Sequence, residues 1–266
     1  MTHEKPDRDE QVTFISILGR AFRIMDRLLA SDEPMGVTRL SAETGIPKAN
    51  TFRILKTLEQ LRAAEPMGDG YVLGPKLMEY ACAAVRSNDF LNTAIPYLEE
   101  LSRGCEESVT LGVLYREQIL ALHCEKPESG ALISRFPPVT PLYCSSIGKQ
   151  FLARRSNKEI RDYFKNERPQ PRTVYTITSA DAFLKEKQEI LDSGIARDRE
   201  EYDYGLSCLS APIFCRDGVL AAGINISGPT SRLEFKTIEK LEARLKDTAE
   251  KLSKAVSGFD ISAVGI

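Results

Sequence analysis

No stretch of this 266-residue chain stays apolar over the ~20 residues that a membrane-spanning helix needs, so no helical membrane span is expected. Its six cysteines (82, 105, 124, 144, 208 and 215) form no C-x-x-C pair, and His3 and His123 are the only imidazoles. A structural zinc site or disulfide framework is therefore not expected, nor is a bound metal or cofactor, and a reducing cytoplasm is the simplest compartment. No G-x-x-x-x-G-K-[ST] phosphate loop and no internal repeat is found. The chain also lacks an excess of either charge, with 36 basic against 38 acidic side chains and a net charge of -2. With a pI near 5.9 it is not built to coat nucleic acid indiscriminately, so any basic surface must be local. Met1 to Gln11 is polar and charged, which reads as a frayed tail rather than a signal peptide.

What is present is an ordinary globular composition, 42% hydrophobic and 28% charged, in a length that suggests two domains of unequal size. The local concentration of cations lies between Lys48 and Arg62, where Lys48, Arg53, Lys56 and Arg62 stand against Glu59 alone. At the helical repeat, Ile54, Leu55, Leu58 and Leu61 share one side with Thr51 at its edge, while Ala49, Phe52, Arg53, Lys56 and Gln60 share the other. Before it, Val37 to Thr44 reads as a short helix capped by Thr38. Gly45 permits a left-handed turn, and Pro47 presets the start of the basic helix. Two helices joined by a tight glycine turn, the second basic, form a helix-turn-helix. Gly68-Asp69-Gly70 then signals a hairpin leading into the strand Tyr71-Val72-Leu73, which makes a wing.

Leu18 to Ala30 reads as a first helix, its stripe of Leu18, Phe22, Met25, Leu28 and Leu29 packing behind the two-helix unit. Pro75 to Arg86 reads as a linker helix with Leu77, Tyr80, Ala81 and Ala84 on one face, and its small residues Ala81, Ala83 and Ala84 allow close approach of a second copy. From Phe90 the pattern changes. A helix ending near Gly104 is followed by a hairpin of Ser108 to Tyr115 and Ile119 to Glu125, and Leu132-Ile133-Ser134 forms a further short strand. Helices are expected over Ser145 to Arg155, Asn157 to Phe164 and Ser179 to Ser193, the last closed by Gly194. Strands follow over Ile195 to Asp198, Cys208 to Phe214 and Val219 to Ile226, and one long helix runs from Leu233 to Val256. Strand runs flanked by helices indicate an α+β body with a largely antiparallel sheet.

Several segments, in order, carry a resemblance. Gly45-Ile46-Pro47-Lys48, Phe52-Arg53-Ile54-Leu55-Lys56-Thr57-Leu58 and Tyr71-Val72-Leu73-Gly74-Pro75-Lys76-Leu77 resemble the winged-helix head of the isocitrate-lyase-regulator (IclR) family of bacterial transcription factors. Ser145-Ser146-Ile147-Gly148-Lys149 with Leu152-Ala153, Asp198-Arg199-Glu200-Glu201-Tyr202, Gly205 to Ile213 and Ile226-Ser227-Gly228-Pro229 continue it through the body, over about residues 14 to 257. The resemblance implies a tail at 1–13, a winged helix-turn-helix domain at 14–74, a linker helix at 75–89 and a GAF-like effector-binding domain at 90–259. It also implies a homodimer made through heads and linker helices, or a dimer of dimers. Carried over by position, the effector pocket comprises Ser146, Ile147, Asp198, Leu206, Cys208, Asn225 and Ser227. Asn225 stands where a serine is common in the family and Ser146 where a glycine can occur, so the resemblance does not name the ligand.

The side chains fit that assignment. Short polar groups within apolar segments need partners, the first-turn amides after Ser145 suit an anion, and Asp198 suits a hydroxyl. A small hydroxylated or oxo acid satisfies both. On the head, Arg53 suits guanine O6 and N7, and Phe52 a thymine methyl. Lys48, followed by Ala49 and Asn50, together with Lys56 and the wing suits the phosphates of double-stranded DNA, and a two-fold pair of heads calls for an inverted-repeat operator. Two other readings compete. Cys208, His123 and Asp198 could be drawn as thiol, base and orienter of an enzyme, or the body could be inert and the protein architectural.

Overall fold

The structure is a computed structural model, and it describes residues 15–127 and 137–260. The expected tail at 1–13, His3 and the strand expected at Leu132-Ile133-Ser134 lie outside the described residues. The chain divides into two compact units, Met1–Ser87 and Asn88–Ile266.

The first unit contains α1 (Ser16–Leu29), α2 (Val37–Thr44), α3 (Lys48–Gln60), a hairpin of β1 (Ala64–Met67) and β2 (Gly70–Leu73), and α4 (Lys76–Arg86). Its core is Ile24 and Leu28 of α1, Leu40 of α2, Ile54, Leu55 and Leu58 of α3, with Met35 and Ile46 from the connections. The stripe expected on α1 is corrected in part: Leu28 is buried, but Leu18, Phe22 and Leu29 are exposed, because the helix turns its neighbouring face, through Ile24, inward. Thr38 is not a cap. The helix spans Val37–Thr44 as expected, so Thr38 lies inside its first turn, Gly36 is the cap residue and the Gly36 carbonyl accepts from the Leu40 amide. Gly45 is left-handed (φ 71°) as expected, and Pro47 stands at the cap of α3 rather than inside it. Thr51 is fully buried, donating to the carbonyls of Ile46 and Pro47, whereas Leu61 leaves the core face because α3 ends before it and the chain reverses at Arg62. Helix α4 has no buried residue.

The second unit begins with α5 (Asp89–Cys105), capped by the Asn88 side chain accepting from the Leu91 amide. Then come β3 (Ser108–Tyr115), β4 (Gln118–Glu125), β5 (Val139–Pro141), α6 (Ser146–Ala153), α7 (Asn157–Glu167) and α8 (Ala180–Ser193). After these the chain continues through β6 (Ala196–Arg199), β7 (Leu206–Phe214), β8 (Leu220–Pro229), α9 (Thr230–Phe235) and α10 (Ile238–Ala255). The expected single helix from Leu233 to Val256 is thus two, broken where Thr237 takes a positive φ of 68°. The Arg232 guanidinium of α9 and the Lys236 ammonium at its C-terminal cap both donate to Glu107, which is fully buried.

The strands form one antiparallel sheet in the order β5-β4-β3-β8-β7-β6. One face carries Val109, Leu111, Leu209, Ala211, Ile224 and Ile226 against α5 and α10. Because side chains alternate, the other face carries small polar groups in rows: Asp198, Cys208, Ser227 and Ser108 in one, Ala196, Ser210, Asn225 and Thr110 in the next. A pair of glycines, Gly112 opposite Gly223, leaves a hollow on this polar face that Ile147 of α6 fills. A Cβ on either would stand 2.6–2.7 Å from a side-chain carbon of Ile119 or Ile147, so the pair lets α6 start directly over the sheet.

Candidate functional site

On the head, α3 buries Thr51, Ile54, Leu55 and Leu58 and leaves Lys48, Ala49, Phe52, Arg53 and Lys56 exposed, with Asn50 half-buried. Phe52 is 48% exposed, a large aromatic held in solvent by the same periodicity that buries its neighbours. The Lys56 ammonium lies 6.0 Å from the centroid of that ring and 2.8 Å from the Glu59 carboxylate. Its hydrogen bond to Glu59 raises the Lys56 pKa above its ordinary value. Glu59 also accepts from the Tyr71 hydroxyl at 3.2 Å, which ties strand β2 of the wing to α3. Cations and an aromatic on one wet face, braced against a hairpin, present bidentate, apolar and point-charge contacts together.

In the body, the start of α6 and the polar face of the sheet line a small cavity of about 30 Å³. Of the residues expected in a pocket, Ser146, Ile147, Asp198, Leu206, Cys208 and Asn225 line it. Ser227 shares the polar face but is not among the walls, its hydroxyl instead donating to the Ser108 carbonyl at 3.4 Å. The walls also include Thr110, Ile119, Ala121, Thr140, Ser145 and Tyr202, which sequence reasoning did not assign to the site. The signal for Thr110 was present in the period-two run of small polar residues, Ser108 and Thr110 on one strand and Asn225 and Ser227 on its neighbour.

Hydrogen bonding shows which of these groups is already engaged. The Ser145 hydroxyl caps α6, accepting from the Gly148 amide at 3.2 Å and donating to the Pro141 carbonyl at 2.6 Å. The amides of Ser146 and Ile147, in the first turn, have no partner within the helix. Asn225 uses its carbonyl oxygen for the Thr110 amide at 3.2 Å, so its NH₂ is the part left to donate. The hydroxyls of Thr110 and Ser146 are buried and have no hydrogen-bond partner.

Asp198 is 2% exposed, and one carboxyl oxygen accepts from the amides of Glu201 (2.8 Å) and Tyr202 (3.2 Å). Burial, reinforced by the nearby Glu201 carboxylate, pushes its pKa up to about 7. Beneath it Lys149, fully buried, donates to Glu201, to Glu186 at 2.8 Å and to the Arg197 carbonyl at 3.0 Å. Lys149 and Glu201 were part of the family pattern without a role, and here they join α6 to the turn after β6.

The thiol, base and orienter drawn for an enzyme do not assemble. His123 pairs with Leu111 on the opposite face of the sheet from the cavity and hydrogen-bonds to Glu125 at 3.2 Å. The Cys208 thiol is fully buried, and burial together with the Asp198 carboxyl raises its pKa well above the ordinary value, which keeps it protonated. Among the described residues, no group of His, Cys, Asp and Glu is arranged to hold a metal ion, and no helix is long and apolar enough to cross a membrane.

Comparison with known proteins bears on both sites. The family model described as IclR helix-turn-helix domain matches residues 18–66, and that described as bacterial transcriptional regulator IclR C-terminal matches residues 82–254. The HTH-type transcriptional regulator KdgR of Escherichia coli (strain K12) is 31% identical over 257 residues, covering 96% of this chain and 97% of that relative. The crystal structure of the Thermotoga maritima IclR is similar with a TM-score of 0.67 at 28% identity, covering 92% of this chain and 100% of that one. The crystal structure of the C-terminal domain of E. coli KdgR is similar with a TM-score of 0.57 at 32% identity, covering 64% of this chain and 99% of that one.

Proposed function

Because the chain belongs to the IclR family of bacterial transcriptional regulators, with a DNA-binding helix-turn-helix and a C-terminal effector-binding domain, we propose how its own residues divide that work. The exposed face of α3 enters the major groove. Arg53 forks onto a guanine edge, Phe52 lies against a thymine methyl, and Lys48 and Lys56, with Ala49 and Asn50 beside them, meet the backbone. The body cavity binds a small hydroxylated or oxo acid. Its carboxylate is received by the Ser146 and Thr110 hydroxyls, the Asn225 NH₂ and the first-turn amides of α6, and its hydroxyl by Asp198. The observation that carries this reading is the pair of partnerless buried hydroxyls, Thr110 and Ser146, aimed into one cavity. A buried polar group without a partner is costly, and a ligand oxygen between the two removes that cost.

The protein works as a homodimer or dimer of dimers in the cytoplasm, without catalysing a reaction. Support for the dimer is the apolar surface left on the head: Leu18, Phe22 (63% exposed) and Leu29 follow a heptad-like spacing on α1 with Ile15 exposed at its cap, and Met78 (68% exposed), Tyr80 and Val85 stand out on α4. Two heads held in this way read an inverted repeat. Selection of binding sites from random duplex DNA tests the reading. Enriched sequences are expected to be inverted repeats with a guanine in each half-site whose preference disappears in Arg53→Ala. Enrichment of a single half-site, or of none, contradicts it.

A further inference from the structure

The reading of the cavity as an acid site raises a question of charge. Among the described residues that line it there is no lysine, arginine or histidine, and one carboxyl, Asp198, is a wall. The charged groups around that carboxyl are committed elsewhere. From α6, Lys149 is bound by Glu201 and Glu186. From the turn after β6, Glu201 adds negative charge and Tyr202 contributes its amide. From the loop before α7's partner helix α8, Arg172 stacks on the Tyr202 ring at 4.1 Å and donates to the Tyr202 carbonyl. Cys208 on β7 and Cys144 before α6 face it as thiols. The Arg197 side chain, on Asp198's own strand, pairs with Glu189 and Glu242, and that of Arg199 lies near Glu186 and Glu189. Among the described residues, an anionic ligand would therefore place a second negative charge against a buried carboxylate with no free cation between them.

We propose that the cavity takes up its anionic effector together with one proton from solvent, and that this proton resides on the Asp198 carboxyl. This rests on the acid-effector reading above. The protonated carboxyl keeps the Glu201 and Tyr202 amides on one oxygen and turns its O–H, from the other, toward the ligand. The group is already balanced for this, since burial has brought its pKa to about 7 in the free protein. A second anion raises it further, so the complex binds more protons than its separated parts, and affinity must fall as pH rises. The two thiols facing it do not compete over this range: burial raises the pKa of Cys144 to about 12 and that of Cys208 well above its ordinary value, while the Glu201→Gln variant below separates the contribution of Glu201, whose own pKa burial also raises.

The test uses the full chain and short monocarboxylates as probes, with glycolate, pyruvate and gluconate screened by melting shift. Calorimetry of the best binder follows, from about pH 6 to about pH 8.5, in buffers of different ionisation enthalpy. The expected result is an affinity nearly flat at the acid end that falls about tenfold per pH unit above about pH 7.5, with close to one proton taken up. Asp198→Asn, which keeps the oxygen acceptor for both amides, is expected to bind without proton uptake, flat in pH, and about tenfold tighter than the wild type near pH 8. Glu201→Gln is expected to retain the proton uptake. Binding that is indifferent to pH, or a proton uptake that survives Asp198→Asn or vanishes in Glu201→Gln, overturns the proposal. Proton counting on the wild type decides the matter should a variant fail to fold. If no acid shifts melting, the acid-effector reading itself falls and takes this proposal with it, an outcome distinct from pH-independent binding.

Discussion

The two sites place polar chemistry in opposite settings. On α3 the groups assigned to DNA are exposed and need water until they meet phosphates and base edges, while in the body the groups assigned to the effector are buried between α6 and the sheet. An exposed cation acts through charge and reach. A buried carboxyl such as Asp198, brought to about pH 7 by its surroundings, acts through whether it carries a proton at all. The head can therefore be altered at its surface without loss of stability, whereas in the body the recognition groups sit beside the buried Lys149–Glu201 cluster on which stability depends.

The largest effect that could break this contrast is expected from Lys149→Ala. It strips the fully buried ammonium from Glu201 and Glu186, and leaving such a charge uncompensated costs roughly 3–5 kcal/mol. Calorimetric unfolding should show the body transition strongly lowered. An unchanged transition would mean that the buried cluster is not what joins α6 to the turn after β6. Next, Arg53→Ala should leave melting unchanged and cost roughly 1–3 kcal/mol on the preferred duplex, relaxing one base position. Lys56→Ala should weaken all sequences about alike and flatten the salt dependence, measured by fluorescence anisotropy at several salt concentrations. Equal, sequence-blind losses in the two variants would erase the division between base and phosphate contacts. The smallest effect on the free protein belongs to Thr110→Val. Its hydroxyl has no partner to lose, so melting should hold or rise slightly while acid binding weakens about tenfold. A marked drop in the melting temperature of the ligand-free variant would show that the hydroxyl is already satisfied within the protein.

The same contrast explains what could be read from residues alone. The head site lies on one helix, so a single 3.6-residue period separates core from wet face, and Gly45 and the Gly68-Asp69-Gly70 hairpin bound it. What that period misplaced were residues at ends. Leu61 keeps the spacing after the helix has stopped, Thr38 looks like a cap where Gly36 serves, and the break at Thr237 leaves no mark in the apolar repeat. The body cavity is assembled from β3, β4, β5, α6, β6, β7 and β8, and contacts such as Thr110 with Asn225 join residues 115 apart in the chain. No local spacing encodes such a pairing, so six of its walls came from the family resemblance, and Thr110, which that pattern did not mark, was missed. Lys149 shows the same limit. Its burial depends on Glu201 and Glu186, which only the fold brings to it.

The account joins these two regions into one regulator, and linkage is the most direct check on that union. The dissociation constant of a bound acid is to be measured by calorimetry on the full chain with and without a saturating operator duplex obtained by selection. The account predicts that DNA changes the acid's affinity by the same factor by which the acid changes affinity for DNA. Acid affinity that is identical with and without DNA would contradict it.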